Sequence, residues 1–163
     1  MLLLDRTGVI DDLWPRIGEE DPLPEAGRAL VDYRRLGEAA KTGLELGLHL
    51  PNDTEPDALV DRFGRLALIS VEFPSFADGR GFSIGRCLRD RGFAGRLRAS
   101  GPVIADQFAY LLEVGFDEVA VADSVAARQG VESWLAALGE ITLGYQRGIG
   151  RPSILDQRRS AHG

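Results

Sequence analysis

The residues best suited to chemistry lie between Asp78 and Arg86, where glycines and arginines alternate after a long apolar run. Gly79 and Gly81 let the backbone turn its N–H groups toward a ligand, and the helix predicted to follow adds positive potential at its start. Arg80 and Arg86 supply guanidinium groups, which bind oxyanions through paired hydrogen bonds. The stretch therefore predicts a site for a small anion or a phosphorylated ligand.

An ordinary turn explains the same residues in a second way. Asp-Gly is a common turn pair, and Arg80 can form an ion pair with Asp78 or Glu72 without binding any ligand. Ser83, which we include in the predicted site, also suits the N-cap of the following helix. Both interpretations stay open at the level of the sequence.

Further polar groups are predicted to reach the same face. Arg98 ends the next strand, and Asp106 and Gln107 lie in the first turns of the helix after it. Arg98 and Asp106 form a carboxylate–arginine group with Glu72, Asp78 and Arg80, or Asp106 is a dipole-favoured acid and Gln107 a capping amide. The predicted ligand-binding set is Glu72, Asp78, Gly79, Arg80, Gly81, Ser83, Arg86, Arg98, Asp106 and Gln107.

Three motifs are too weak to assign a reaction. Gly79-x-Gly81-x-x-x-Gly85 has one residue more than a dinucleotide fingerprint, and no acid follows the next strand, although Arg98 can meet a 2′-phosphate. The run from Gly81 to Gly85 matches G-x-S-x-G, but its serine does not end a strand. His49 is either a general base or a strand-end histidine. The catalytic residues, the cofactor and enzymatic activity itself stay open.

The composition limits the kinds of ligand and partner that the chain is expected to bind. The chain has one cysteine and two histidines, so neither an internal disulfide nor a zinc site is expected. Its net charge is −6, yet residues 62–98 carry eight arginines against three acids, whereas residues 1–61 carry fourteen acids against six bases. A local arginine cluster on an acidic protein favours a small anion or an acidic partner over nucleic acid.

The elements that must position these residues repeat along the chain. Apolar runs predict four strands, each followed by a helix, after an N-terminal hairpin and a helix over residues 26–41. The predicted strands are Leu44–Leu50, Leu66–Phe73, Gly95–Ser100 and Glu118–Ala122, and the predicted helices cover residues 56–65, 83–91, 103–114 and 126–139.

Four consecutive strand–helix units predict an α/β fold with a mainly parallel sheet. Two architectures fit, half of a (βα)8 barrel or an open flavodoxin-like sheet, and periodicity does not choose between them. In both, ligands bind at the carboxyl ends of the strands. A barrel half would also bury apolar surface by forming a homodimer.

Three regions are expected. Residues 1–43 form an N-terminal hairpin, loop and helix on the core, residues 44–143 form the repeat core, and residues 144–163 form a polar tail. No apolar run is long enough for a membrane span, and the start lacks a secretory pattern, so a cytoplasmic protein without membrane contact is expected.

Several strings of residues resemble a bacterial family known as domain of unknown function 934. They are Phe73-Pro74-x-Phe76-x-Asp78-Gly79-Arg80-Gly81-Phe82-Ser83, Gly95-x-Leu97-Arg98-Ala99-x-Gly101, and Asp106-Gln107-Phe108-x-Tyr110-Leu111 followed by Gly115-Phe116-Asp117.

The resemblance implies a role in assimilatory sulfite reduction, because genes of such proteins accompany those of sulfite reductase. It implies either an accessory protein, in contact with sulfite reductase, or an oxidoreductase that uses NADP or flavin. The chain departs from the usual family residues at Glu72, Phe82 and Val114, where aspartate, tyrosine and often cysteine are found. These departures remove a phenol and a thiol from the candidate groups.

Overall fold

The computed structural model describes the backbone of residues 1–149 and the side chains of residues 1–141. Its strands are β1 (Leu2–Asp5), β2 (Gly8–Val9), β3 (Arg28–Asp32), β4 (Glu45–Leu50), β5 (Leu66–Glu72), β6 (Arg96–Gly101) and β7 (Glu118–Val121). Its α-helices are α1 (Leu36–Ala39), α2 (Arg80–Asp90), α3 (Phe108–Val114), α4 (Asp123–Ala126) and α5 (Val131–Ile149), with 3-10 helices at Tyr33–Arg35, Pro56–Arg65 and Ala105–Gln107.

The strands form one sheet in the order β2-β1-β7-β6-β5-β4-β3. Strands β3 to β7 are parallel and lie in chain order, while β1 is antiparallel to both β7 and β2. This confirms an α/β fold with a mainly parallel sheet. Because each parallel strand lies beside its predecessor, the connectivity is that of consecutive barrel units, whereas a doubly wound sheet would reverse direction at one strand.

The two faces of the sheet are covered differently. Alternate side chains such as Leu48, Val71 and Val119 join the main core together with residues of all five α-helices, so we name this side the helix face. The opposite side, the inner face, carries Leu30 and Leu68 among polar residues.

A single extended stretch, residues 10–17, covers the inner face, and we name it the crossing segment. At one end the Ile10 N–H donates to the Leu3 carbonyl (2.9 Å). At the other end Arg16 forms an isolated parallel β-bridge with Leu30 of β3. Between these ends Trp14 packs on Leu30 and Leu68. Gly47 makes room for it, since an added Cβ there would lie 3.1 Å from the indole ring.

Several sequence predictions differ from the structure. The helix predicted for residues 26–41 is wrong, because Arg28–Asp32 forms β3 and only Leu36–Ala39 is α-helical. Helix α2 begins at Arg80 instead of Ser83, and α5 continues to Ile149, into the region expected to be a tail. The rest of that tail, residues 150–163, lies outside the described residues.

Among the helices of residues 1–149, none is both long and apolar enough to cross a bilayer.

Candidate functional site

The loop predicted to bind an anion is held together by its own charges. The Asp78 carboxylate accepts hydrogen bonds from Arg80 Nη2 (2.7 Å) and Asn52 Nδ2 (2.9 Å), and also from the Arg80 backbone N–H (3.1 Å). The hydrogen bonds from the Arg80 side chain and backbone, supported by Asn52, lower the pKa of Asp78 to about 2. Arg80 therefore has the local ion pair that the turn interpretation anticipates.

The glycines of this loop serve helix packing. A Cβ added to Gly81 would lie 2.5 Å from the Phe73 ring, and one added to Gly85 would lie 2.4 Å from the Phe116 ring. Both glycines therefore let α2 approach the sheet closely. Gly79, with nothing within 4 Å of an added Cβ, is the residue before the helix.

Ser83 and Arg86 line a groove between α2 and α3 with a volume of about 710 Å³. The groove lies among the helices and is walled by Phe82 and Tyr110, whose ring centroids are 4.8 Å apart. Ser83 does not cap α2, because the N-cap position belongs to Gly79.

The remaining predicted residues are dispersed. Gln107 caps the turn before α3, since its Oε1 accepts from the Ile104 N–H (3.1 Å), and its Nε2 donates to the Phe76 carbonyl (2.8 Å). Asp106 faces α5, beside Glu140.

Glu72 and Arg98 point to the inner face, unlike the arginines on α2. Strand alternation places both side chains on this face, and Arg98 is buried there. Arg80, Arg86 and Arg98 therefore do not lie around one binding site. The five-residue carboxylate–arginine group is not assembled either.

The structure instead aligns polar residues in one row across the inner face. Neighbouring strands place Asp32 beside His49, His49 beside Ser70, and Ser70 beside Arg98. The row continues from Arg98 to Glu118 on β7 and then to Asp5 on β1. A polar row across parallel strands is notable because such strands are usually apolar on both faces.

Arg98 is the most buried charge of this row, with 1% of its surface exposed. Its Nε donates to Glu118 Oε1 (2.7 Å), while Nη2 and Nη1 donate to the two Asp12 oxygens (2.9 and 3.2 Å). Glu118 also accepts from Arg96 Nε (2.7 Å). Two carboxylates thus compensate the buried guanidinium and attach the crossing segment to the sheet.

Beside this pair the crossing segment and the sheet enclose a cavity of about 320 Å³, which we name the inner cavity. It lies toward the carboxyl ends of β4, β5 and β6, where ligands of parallel sheets bind. The polar side chains that line it are Asp12, Arg16, His49, Ser70, Arg98 and Ser100.

Two buried polar atoms in the wall of the inner cavity lack a hydrogen-bond partner: His49 Nδ1 and Ser70 Oγ. His49 is 7% exposed and Ser70 1%. The third such atom among the described side chains, Trp134 Nε1, belongs to the core on the helix face. Since buried polar groups are nearly always satisfied, two unsatisfied atoms on neighbouring strands mark this wall of the cavity as a candidate site.

His49 is neutral in the folded protein at neutral pH. Its pKa is lowered from 6.5 to about 4, mainly by burial and also by Arg16 and Arg98, while Asp32 acts in the opposite direction. Both arginines are paired with acids, Arg16 with Asp32 and Arg98 with Asp12 and Glu118. The neutral ring offers one N–H donor and one acceptor.

This pKa predicts that the protein loses stability as the pH falls. Between pH 6.5 and about 4 the unfolded chain protonates His49 and the folded protein does not, so the free energy of unfolding decreases on acidification by up to about 3 kcal/mol. Urea unfolding at several pH values would measure the decrease, and His49→Gln should make it shallower. An equally steep decrease in the variant would contradict the assignment. Asp78 does not interfere, since the stability that its lowered pKa contributes is lost only below this range, as the pH falls toward about 2.

Sequence reasoning missed most of the inner cavity. It included Arg98 and weighed His49, but it did not consider Asp12, Arg16 or Ser70. One available signal was Ser70, a polar residue inside an otherwise apolar strand. Among the described residues, no group of three or more His, Cys, Asp or Glu side chains is placed to hold a metal ion.

Comparison with known proteins gives one family. No curated protein matches the chain. Residues 47–155 match a family model described as bacterial protein of unknown function (DUF934), which confirms the resemblance seen in the sequence. That range includes β5, β6 and β7 in full and all of β4 except its first two residues. Since the match covers more than half of the chain, the protein belongs to the bacterial DUF934 family.

Proposed function

We propose that the protein is a cytoplasmic accessory component of assimilatory sulfite reduction that binds a small oxyanion in the inner cavity. The observation that carries the binding proposal is the pair of unpartnered buried atoms, His49 Nδ1 and Ser70 Oγ, beside the Arg98 guanidinium. The pathway comes from the family resemblance, which associates such proteins with sulfite reductase.

The size and charge of the cavity support a small anion. Its volume of about 320 Å³ is at the lower limit for ligand pockets, whose volumes range upward from about 300 Å³. Ser70 and Ser100 offer hydroxyl donors, and neutral His49 offers a ring N–H. Arg16 and Arg98 bring guanidinium groups to the wall of the cavity, where they can donate to an anion.

Ser70→Ala should weaken oxyanion binding. The change removes one donor and leaves the fold intact, so a loss of roughly fivefold to tenfold is expected, in keeping with one hydrogen bond to a charged group. Isothermal titration calorimetry with sulfite, under anaerobic conditions, would measure the loss. Ser133→Ala, on the exposed first turn of α5, is the matched control and should bind like the wild type.

The same variants test the pathway in cells. A strain lacking the gene should need reduced sulfur, and the gene with Ser133→Ala should restore growth on sulfate better than the gene with Ser70→Ala. Growth of the deletion strain on sulfate at the normal rate would remove the pathway from the proposal. Equal affinity of wild type and Ser70→Ala for sulfite would contradict the proposal that the inner cavity is the binding site.

Contact with sulfite reductase is the partner interaction that this proposal includes. The groove between α2 and α3 supports it, since Tyr110 and the nearby loop residue Phe76 are more than half exposed. Exposed aromatic side chains are enriched at protein interfaces. A homodimer has less support, because Trp14 already covers Leu30 and Leu68 on the inner face.

An oxidoreductase that uses NADP or flavin also has less support. Gly81 and Gly85 are accounted for by the Phe73 and Phe116 rings that they contact. Arg98, which the sequence suggested for a 2′-phosphate, lies on the inner face, whereas the Gly79–Gly85 turn lies on α2 at the helix face.

A further inference from the structure

We propose, on the basis of the function proposed above, that Asp12 makes the inner cavity selective for oxyanions that carry a proton, such as hydrogen sulfite and hydrogen phosphate, over fully deprotonated ones such as sulfate. The residue lies on the crossing segment and forms one wall of the cavity together with Arg98.

Asp12 is held in place from two sides. Its Oδ1 accepts from Arg98 Nη2 (2.9 Å) and from the Trp14 N–H (3.0 Å), and its Oδ2 accepts from Arg98 Nη1 (3.2 Å). The carboxylate cannot turn away from the cavity without breaking these bonds. A ligand therefore meets Asp12 as a fixed part of the wall.

The wall made by Asp12 and Arg98 offers both donors and acceptors. Three of the five N–H groups of Arg98 are used by Glu118 and Asp12, which leaves donors for an oxyanion. Ionised Asp12 can only accept hydrogen bonds, and its Oδ2 has free acceptor capacity. A ligand with unprotonated oxygens and one hydroxyl satisfies this wall completely.

A fully deprotonated oxyanion fits the wall poorly. Any of its oxygens placed against Asp12 would bring two acceptors together with no proton between them. Selectivity thus follows from a proton on the ligand and not from its shape.

Sulfate and inorganic phosphate separate these effects because both are tetrahedral and of similar size, while only phosphate carries a proton near pH 7. Calorimetry with the whole protein should show phosphate binding roughly tenfold or more tighter than sulfate. Asp12→Asn replaces one acceptor by an N–H donor, so the difference should shrink to about twofold. Asp11→Asn, the adjacent exposed acid, is the control and should keep the wild-type preference.

The outcomes are distinguishable. Equal binding of sulfate and phosphate by the wild type would overturn the selectivity and leave oxyanion binding standing. A preference for phosphate that persists in Asp12→Asn would overturn the role of Asp12. Binding of neither anion nor of sulfite by the wild type would overturn the proposed function together with this inference. The wild-type comparison needs no variant, so poor folding of Asp12→Asn would not prevent a decision.

Discussion

Glu118→Ala is expected to lower the free energy of unfolding by about 3–5 kcal/mol, since it removes one partner of a buried ion pair. The Glu118 side chain is 3% exposed and accepts hydrogen bonds from both Arg98 and Arg96. Without it, Arg98 would stay buried with only Asp12 for compensation. Urea or thermal unfolding, followed by circular dichroism, would measure the loss.

Glu45→Ala is the matched control for this prediction. Glu45 also pairs with an arginine of a neighbouring strand, at 2.7 Å from Arg28 Nε, but its side chain is 47% exposed. Exposed pairs contribute little, so its loss should cost about 1 kcal/mol or less. Similar costs for the two variants would show that the Arg98–Glu118 pair is not buried in solution.

A double replacement separates charge from packing at the same pair. Arg98→Met combined with Glu118→Leu removes both charges and keeps apolar volume, so much of the stability lost in Glu118→Ala should return. The double variant should nevertheless bind sulfite weakly, because Arg98 lines the inner cavity. Removal of Arg98 together with Glu118 would then restore stability while it weakens sulfite binding.

Strands β4, β5 and β7 could be predicted because each is a compact, mostly apolar run with a turn signal on either side. Strand β6 shows the alternation of a strand instead, since Leu97 and Ala99 alternate with Arg96, Arg98 and Ser100. Strand β3 could not be predicted in the same way. Ala29 and Val31 contribute to the core on the helix face, while Leu30 packs under Trp14 on the inner face. A short strand buried on both faces shows no alternation, and Ala29, Leu30 and Tyr33 also fit a helical spacing.

The candidate site was harder to predict than the fold. Arg98 was identified from its place at the end of a strand, but its neighbours His49 and Ser70 are set by the register of three strands. That register includes an irregularity between Leu46 and Gly47, where β5 contributes an additional residue. Shifting a strand by one residue exchanges its two faces, so a small irregularity decides whether Ser70 faces the inner cavity.

The arginine-rich loop illustrates the opposite case, in which a conspicuous sequence has a structural explanation. Gly81 and Gly85 fit α2 against aromatic rings, and Arg80 pairs with Asp78. None of this was visible from spacing, because a glycine selected for close helix packing and one selected to expose backbone N–H groups look alike. The less conspicuous residues of the strands form the better candidate site.

Gly101→Ala should be as damaging as the loss of Glu118, for a reason that belongs to the backbone. Gly101 ends β6 with a φ of +138°, and an added Cβ would lie 2.0 Å from the Phe73 carbonyl oxygen. A backbone atom cannot move aside as a flexible side chain can. Strain and overpacking together should cost roughly 3–5 kcal/mol.

Gly92→Ala separates the two causes, because Gly92 also has a positive φ (+96°) but nothing lies within 4 Å of an added Cβ. It should lose only about 1–2 kcal/mol, the cost of the backbone conformation. The difference between the two variants in chemical unfolding then measures the close approach of β6 to the end of β5. Because Ser100 lines the inner cavity next to this contact, Gly101→Ala should also weaken sulfite binding, whereas Gly92→Ala should not. Equal losses of stability would mean that the ends of β5 and β6 are farther apart in solution, and that the inner cavity is wider at Ser100.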